Sequence, residues 1–139
     1  MSEDNAINVL SEDEALAKLA QGKLGRVVVN LSEDVDIFPV NYVVHEGKVY
    51  FRSAEGTKLS WLTFNPQVIF EADSFTEEDA WSVIVKGEAE VLTRNDDIAK
   101  AEELELHPWV PTIKRNFVVI TPKAVSGRQF KLGEEPEQY

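Results

Sequence analysis

Four residues between positions 52 and 58 have the chemistry to hold one phosphate group. Arg52 and Ser53 end a predicted strand, and Thr57 and Lys58 begin a predicted helix after a turn at Gly56. A guanidinium, a hydroxyl, an ammonium group and free helix amides all donate to phosphate oxygens. The pattern therefore predicts an anion site at this strand-to-helix turn.

The alternative is that Arg52 and Lys58 are solvated surface charges paired with nearby glutamates, Glu46 and Glu55. Exposed ion pairs of this kind are common and contribute little to stability. The position of the two cations, one after a strand and one at a helix start, favours the phosphate site.

Other catalytic patterns are absent from the sequence. There is no cysteine, which excludes disulfides, thiolate metal sites and thiol nucleophiles. The glycine patterns of phosphate loops, dinucleotide-binding folds and serine hydrolases are also missing. Neither His45 nor His107 has a partner at metal-ligand spacing, so we predict no metal site and assign no catalytic residue. Any redox chemistry would need a bound cofactor.

Two tryptophans lie where they could border a planar ligand or a second subunit. Trp81 begins a predicted strand and precedes Ser82, which places a ring beside a hydroxyl; core packing is the alternative. Trp109 lies in a predicted loop between Pro108 and Pro111, where its own small domain offers little to bury it. We therefore expect Trp109 to pack across a dimer.

The helices predicted around these residues are short. Ser11 and Glu14 have the spacing of a capping box, which predicts a helix start at the N-terminal side. A second helix is predicted over residues 57–64, and a third is predicted to be capped by Asn95 or Asp96 and to run through Leu106.

Strands make up most of the predicted structure, and they follow one another directly, which indicates antiparallel pairing. Pro39 lies inside one of them, and because proline cannot donate to a ladder, that strand must have an edge or bulge there. Gly87 predicts a second bulge. The predicted strands cover residues 26–31, 36–44, 48–53, 67–73, 81–92, 116–122 and 124–130.

These elements predict a mainly β fold, a six- to seven-stranded antiparallel barrel with a few short peripheral helices. Nothing in the composition divides the chain, so residues 1–139 are predicted to form a single domain. Side chains fill the interior of so small a barrel. A ligand site is therefore expected on the outer surface or between two subunits.

The formal net charge is -11, from 14 Lys and Arg against 25 Asp and Glu. Residues 1–14 and 133–139 contain no Lys or Arg, and without them the net charge is only -3. This balance makes nucleic acid an unfavourable partner but leaves room for a small anion. The absence of a secretory leader or a long apolar run predicts a cytoplasmic protein that does not interact with membranes.

The chain resembles the flavin-binding split barrels typified by pyridoxamine 5'-phosphate oxidase, particularly their small bacterial members. The resemblance covers almost the whole chain and rests on the order and spacing of several segments. These are the leading helix, Phe38–Tyr42, Val49–Leu59, Asn65–Phe70, Trp81–Ala89, Phe117–Pro122 and Ser126–Arg128.

The resemblance implies a homodimer with FMN in each of two clefts at the subunit interface. Arg52, Ser53, Thr57 and Lys58 would then hold the phosphate, and the backbone of Pro39, Val40 and Asn41 would lie along the flavin ring. Trp81 and Ser82 would meet the polar edge of the ring. Trp109 and Arg128 would come from the other subunit.

The resemblance implies an oxidoreductase acting on a small molecule, without establishing pyridoxamine oxidation. True oxidases of this type carry a further set of basic and aromatic substrate-binding residues near the C-terminus, whereas this chain ends in the acidic sequence Gly133–Tyr139. Two alternatives stay open. One is a deazaflavin-dependent reductase on the same fold, with Lys114 and Arg115 as further cations for a longer anionic tail. The other is a non-enzymatic protein that binds flavin or haem.

Overall fold

The computed structural model describes residues 6–53, 65–104, 106 and 116–133. Within those residues the chain forms seven strands and two helices. In chain order they are β1 (Ile7–Leu10), α1 (Glu12–Leu19), β2 (Leu24–Asn30), β3 (Val35–His45), β4 (Lys48–Ser53), β5 (Gln67–Phe75), β6 (Asp79–Val91), α2 (Asn95–Glu102) and β7 (Asn116–Lys131). The predicted mainly β fold is confirmed, while the helix predicted over residues 57–64 lies outside the described residues.

The strands form one antiparallel sheet in the order β1-β7-β4-β3-β2-β5-β6. An additional pairing of β7 with β6 returns the sheet on itself, so six strands form a partial ring and β1 lies beside β7. Strand β1 is four residues long and was not predicted. The predicted antiparallel split barrel is confirmed.

Strand β7 serves as the seam of this ring because it is 16 residues long and pairs with three other strands. The sequence predicted two strands here, but they are halves of one. Gly87 of β6 pairs with Pro122 while Lys86 pairs with Ala124, so Lys123 is the extra residue of a bulge. The predicted bulge at Gly87 is confirmed, and it explains how a proline fits inside β7.

The interior of the ring is filled by apolar side chains from alternate positions of the strands, as expected for so small a barrel. Leu19 of α1 is buried with them. Nine of the strand side chains are fully buried or nearly so: Phe51, Phe70, Ile120, Val27, Val29, Val49, Val83, Val85 and Val118.

Helix α1 packs across β7 and β6 and begins with the predicted capping box. Ser11 Oγ accepts from the backbone N–H of Glu14, and Glu14 Oε1 accepts from the backbone N–H of Ser11. Ala15 is fully buried over Gly127, where a Cβ would lie 2.9 Å from the Ala15 Cβ. Gly127 is therefore required for the close approach of α1 to the sheet.

Helix α2 is shorter than predicted, and its predicted cap is wrong. Arg94 occupies the N-cap position without a side-chain hydrogen bond, and the helix ends at Glu102. The backbone N–H of Glu103 donates to Lys100, a tighter turn that ends the helix. Ala101 packs with Phe117 in a small cluster outside the ring. Neither α1 nor α2 has the length or apolar character to cross a membrane, and no other helix occurs in the described part of the chain.

Candidate functional site

Strands β3 and β4 separate immediately beyond the pair formed by Tyr42 and Phe51. The next residues are Asn41 on β3 and Arg52 on β4. Tyr42 and Phe51 point into the core, so alternation places the Asn41 and Arg52 side chains on the outer face. We call residues 39–41 and 52–53 the β3–β4 split. The structure thus brings together residues 39–41, predicted to lie along the flavin ring, and residues 52–53, predicted to hold its phosphate.

Arg52 is held at the split by an aromatic ring. Its guanidinium carbon lies 4.7 Å from the centroid of the Phe117 ring, on the strand that pairs with β4. Phe117 is itself only 2% exposed because it packs with Ala101 and Leu106 under α2. A cation stacked on a fixed ring loses little conformational freedom when it binds an anion. Helix α2 therefore supports the position of Arg52 through Phe117.

The other residues predicted to hold phosphate are described only in part. Ser53 ends β4, opposite Asn116, and is 9% exposed. Thr57 and Lys58 lie outside the described residues, as does Trp109. Two of the four predicted phosphate ligands are therefore placed, and they are adjacent at the end of one strand.

The residues predicted to contact a flavin ring lie in a stretch of β3 that pairs with β2 and with no second strand in the described part of the chain. Residues 35–41 pair with β2, whereas β4 pairs with β3 only from Tyr42 onward. Pro39 is exposed, and Val40 and Asn41 are half-buried. The edge predicted at Pro39 is confirmed.

Alternate residues of β3 direct their backbone N–H groups away from β2. Tyr42 donates its backbone N–H towards β2, to Lys23, so residues 35, 37, 39 and 41 direct theirs towards the edge. The N–H groups of Val35 and Ile37 donate to the carboxylates of the residues before them, at 3.0 Å each, and Pro39 has no N–H. Asn41 thus carries the edge-facing N–H nearest to Arg52.

Ser82 and Arg128 face each other across β6 and β7, and Ser82 also pairs with Asp73 of β5. Ser82 is half-buried and Arg128 is exposed, both on the outer face of the barrel. Trp81, by contrast, points inward and packs in the main core, 8% exposed. The Trp81 side chain therefore packs in the core, which was the alternative to a ligand contact. Of the two residues, only Ser82 has its side chain on the outer face.

A charged cluster on the same outer face was not predicted. Arg26 of β2 donates through Nε to Glu71 Oε1 at 2.6 Å and through a terminal nitrogen to Asp73 Oδ1 at 2.9 Å. Arg26 pairs with Pro39 and Asp73 pairs with Ser82, so the cluster lies between two predicted cofactor-binding segments. The sequence contains a charged residue in each of β2 and β5, but only the register of the two strands shows that these residues are in contact.

Partial burial governs the electrostatics of this cluster. Burial raises the pKa of Glu71 above its ordinary value, and the hydrogen bond from Arg26 only partly offsets this effect. Burial also acts to lower the pKa of Arg26, but its bonds to Glu71 and Asp73 outweigh burial and raise it. Arg26 is therefore a permanent cation, and Glu71 is the member of the pair that can take up a proton.

Comparison with solved structures gives the same fold. A candidate pyridoxamine 5'-phosphate oxidase from Corynebacterium glutamicum is 50% identical, with a TM-score of 0.86 over 95% of this chain and 98% of that one. The FAD-binding protein from Mycobacterium smegmatis is 38% identical, with a TM-score of 0.78 over 90% of this chain and 99% of that one.

Comparison of sequences points in the same direction. The family model for pyridoxamine 5'-phosphate oxidase matches residues 11–129. An uncharacterized protein from Mycobacterium tuberculosis is 34% identical over 125 residues, which cover 85% of this chain and 82% of that protein. The region matched by the family model, residues 11–129, includes every residue predicted to bind a cofactor.

Proposed function

The chain belongs to the pyridoxamine 5'-phosphate oxidase family, and from this premise we propose that it is a flavoprotein that binds FMN at the β3–β4 split. The observation that carries the proposal is the meeting of Asn41 and Arg52 where two paired strands separate. A ligand at this point lies between a fixed cation on β4 and the part of β3 that β4 does not reach.

In the proposed complex, Arg52 and Ser53 hold the phosphate together with Thr57 and Lys58. The guanidinium is already stacked on Phe117, so it meets the phosphate in a fixed orientation. The backbone of residues 39–41, which pairs with β2 and lies beyond the last β3–β4 pair, runs along the flavin ring in this complex. The donor set of the split therefore fits a phosphorylated, planar ligand.

The second part of the proposal is that the protein forms a homodimer, in which each flavin site is completed by residues of the other subunit. Support comes from the outer face of the barrel, where Ile37, Ile69 and Ile84 are 58%, 37% and 39% exposed. These residues lie on β3, β5 and β6, on the same face as the Arg26 cluster. Apolar groups interspersed with charges are typical of a surface that packs against another protein. Trp109 and Arg128 are proposed to reach the flavin bound to the other copy.

The proposed activity is an oxidation or reduction of a small molecule. Bound flavin would supply hydride or electron transfer. The chain's own residues would bind the phosphate, orient the ring against the β3 edge and, at the subunit interface, exclude water. Because the similar protein from Mycobacterium smegmatis is described as FAD-binding, the affinity for FAD should be compared with that for FMN.

A titration with FMN and riboflavin tests the proposed phosphate site. Arg52→Ala is expected to weaken FMN binding about 10- to 100-fold, the range for loss of a charge-assisted contact, and to leave riboflavin binding unchanged. Arg94→Ala, which removes an exposed arginine from the start of α2, is the matched control. Flavin fluorescence quenching measures each Kd. Equal FMN affinity in the native protein and Arg52→Ala would refute the assignment of Arg52.

The identity of the natural cofactor is tested on the purified protein. The absorption spectrum and mass of the small molecule that copurifies distinguish FMN from FAD, deazaflavin and haem. Tight flavin binding without turnover, tested with reductants and a broad panel of acceptors, would favour a non-enzymatic role.

A further inference from the structure

We infer that Tyr42 is a positioning residue for the flavin site, acting through a buried junction that joins β3 and β6 to the end of α1. The junction consists of Leu19, Gly22, Tyr42 and Trp81. This inference rests on the proposed function, because the segments that the junction holds are those proposed to contact the flavin ring.

Tyr42 binds both sides of the turn that leads from α1 to β2. Its hydroxyl donates to the Leu19 carbonyl at 2.6 Å, and its backbone N–H donates to the Lys23 carbonyl at 3.0 Å. The Gly22 N–H also donates to the Leu19 carbonyl, at 3.1 Å. Tyr42 is 3% exposed, so its hydroxyl has no water to replace these bonds.

Gly22 keeps open the space into which Tyr42 and Trp81 pack. A Cβ at this position would collide with the Tyr42 hydroxyl and lie 3.2 Å from the Trp81 ring. The backbone angle φ of Gly22 is not positive, so the position requires small size and not unusual conformation. An alanine there would therefore displace the two aromatic side chains without straining the turn.

The junction is adjacent in sequence to both proposed ring contacts. Asn41 directly precedes Tyr42, and Ser82 directly follows Trp81. Between these strands, Phe70 contacts the Tyr42 ring edge-on, with 4.9 Å between centroids. A shift of Tyr42 or Trp81 therefore moves the backbone at Asn41 and Ser82. A binding site whose residues are displaced even slightly binds its ligand less well.

Tyr42 donates this hydrogen bond throughout the ordinary pH range. Burial raises the pKa of the Tyr42 hydroxyl well above its usual value, an effect that nearby Arg26 opposes and Glu71 reinforces. The hydroxyl is therefore neutral in this range, and Tyr42→Phe removes it while keeping the ring.

The test compares Tyr42→Phe, Gly22→Ala and the double variant with two controls. Tyr50→Phe alters a tyrosine on the opposite face of the sheet, beneath α2, and Gly133→Ala alters a glycine with open space around it. Tyr42→Phe is expected to raise the Kd about 5- to 10-fold for FMN and riboflavin alike, because the ring contacts are common to both. This equal loss differs from the FMN-specific loss expected for Arg52→Ala.

Amide hydrogen exchange provides a second readout on the flavin-free protein. Tyr42→Phe is expected to speed exchange in residues 38–44 and 80–83 while leaving residues 98–102 of α2 unchanged. Gly22→Ala should do the same, and its effect should shrink in the Tyr42→Phe background because the absent hydroxyl leaves room for the methyl group. These measurements separate local positioning from a general loss of stability.

The outcomes distinguish this inference from the proposed function. Unchanged Kd values or unchanged exchange in Tyr42→Phe, with a native protein that binds flavin, would overturn the role of the junction and leave the flavin site standing. A native protein that binds none of FMN, FAD and riboflavin would overturn the proposed function, and with it the role of Tyr42 in flavin binding.

Discussion

The two faces of the barrel wall use the same strands for different purposes. The inner face consists of fully buried aliphatic and aromatic side chains, among them Phe51, Phe70 and Val85. The outer face of β2, β5 and β6 combines a charged cluster around Arg26 with exposed isoleucines and the half-buried Ser82. The inner face thus accounts for the stability of the fold, while the outer face is available for a ligand and a second copy.

This difference follows from the two-residue period of a strand. Neighbours in sequence lie on opposite faces, so their side chains pack against different parts of the molecule. Ile69 and Phe70 illustrate this separation, since the first is 37% exposed and the second is fully buried. Substitutions at adjacent positions therefore provide the sharpest tests of the comparison.

The largest effect is expected from the inner face. Phe70→Ala removes a fully buried ring that contacts Tyr42, and it should lower the free energy of unfolding by about 3–5 kcal/mol. Ile69→Ala, the adjacent control, should cost about 1 kcal/mol or less in the monomer. Urea denaturation measures both. Similar losses at the two positions would contradict the division between the faces.

The next effect concerns the proposed dimer. Ile84→Asp places a charge in the middle of the outer face and should weaken dimerisation about 100-fold with little change in monomer stability. Leu132→Asp is the control, because Leu132 is similarly exposed at 41% but lies beyond the end of β7. Analytical ultracentrifugation over a range of concentrations measures the dissociation constant. Equal effects of the two variants would mean that the outer face is not the interface.

A smaller effect is expected at the Arg26 cluster. Arg26→Ala leaves Glu71 and Asp73 without their cation and should lower the free energy of unfolding by about 1–2 kcal/mol at pH 7. Because burial already raises the pKa of Glu71, its protonation should reduce this loss as the pH falls.

Lys123→Ala is the control for Arg26→Ala. It breaks a pair with Glu88 whose side chains are 58% and 51% exposed, and the expected loss of stability is much smaller than that of Arg26→Ala because water screens an exposed pair. Urea denaturation at pH 7 and at about pH 5 gives both comparisons. A pH-independent loss in Arg26→Ala would contradict the role assigned to Glu71.

The smallest effect is expected at the α1 capping box. Bonds from Ser11 lower the pKa of Glu14, so the stability that they contribute is present above the ordinary carboxyl range and lost as the pH falls below it. Glu14→Gln keeps an oxygen acceptor but does not titrate, and its melting temperature should fall less steeply between about pH 5 and pH 3. Glu12→Gln, in the same turn, is the control. Parallel curves for the native protein and Glu14→Gln would contradict this account.

The sequence predicts the features of the fold that depend on local chemistry. The capping box at Ser11, the bulge at Gly87 and the edge at Pro39 each follow from what one residue can or cannot donate or accommodate. Strand β4 was predicted with its observed bounds, Lys48–Ser53. These features depend on short-range rules, which hold whatever the rest of the chain does.

The features that were missed depend on pairing between distant segments. Strand β1 is too short to show a pattern, and it forms because β7 offers an open side at residues 127–130. The cluster of Arg26, Glu71 and Asp73 exists only because β2 and β5 align in one register. For Trp81, sequence alone leaves core packing and a ligand contact open, because it does not tell which face of β6 is the inner one.

Residues 35–41 of β3, which β4 does not reach, show how a strand edge is protected against aggregation. An open strand edge can pair with any other extended chain, and proteins reduce this hazard with prolines and charges. In β3 the aspartates at 34 and 36 bond the edge-facing amides of the residues that follow them, and Pro39 has no amide to offer. An incoming strand would find almost no donors along residues 35–39. This part of β3 is therefore protected against pairing with a strand of another chain.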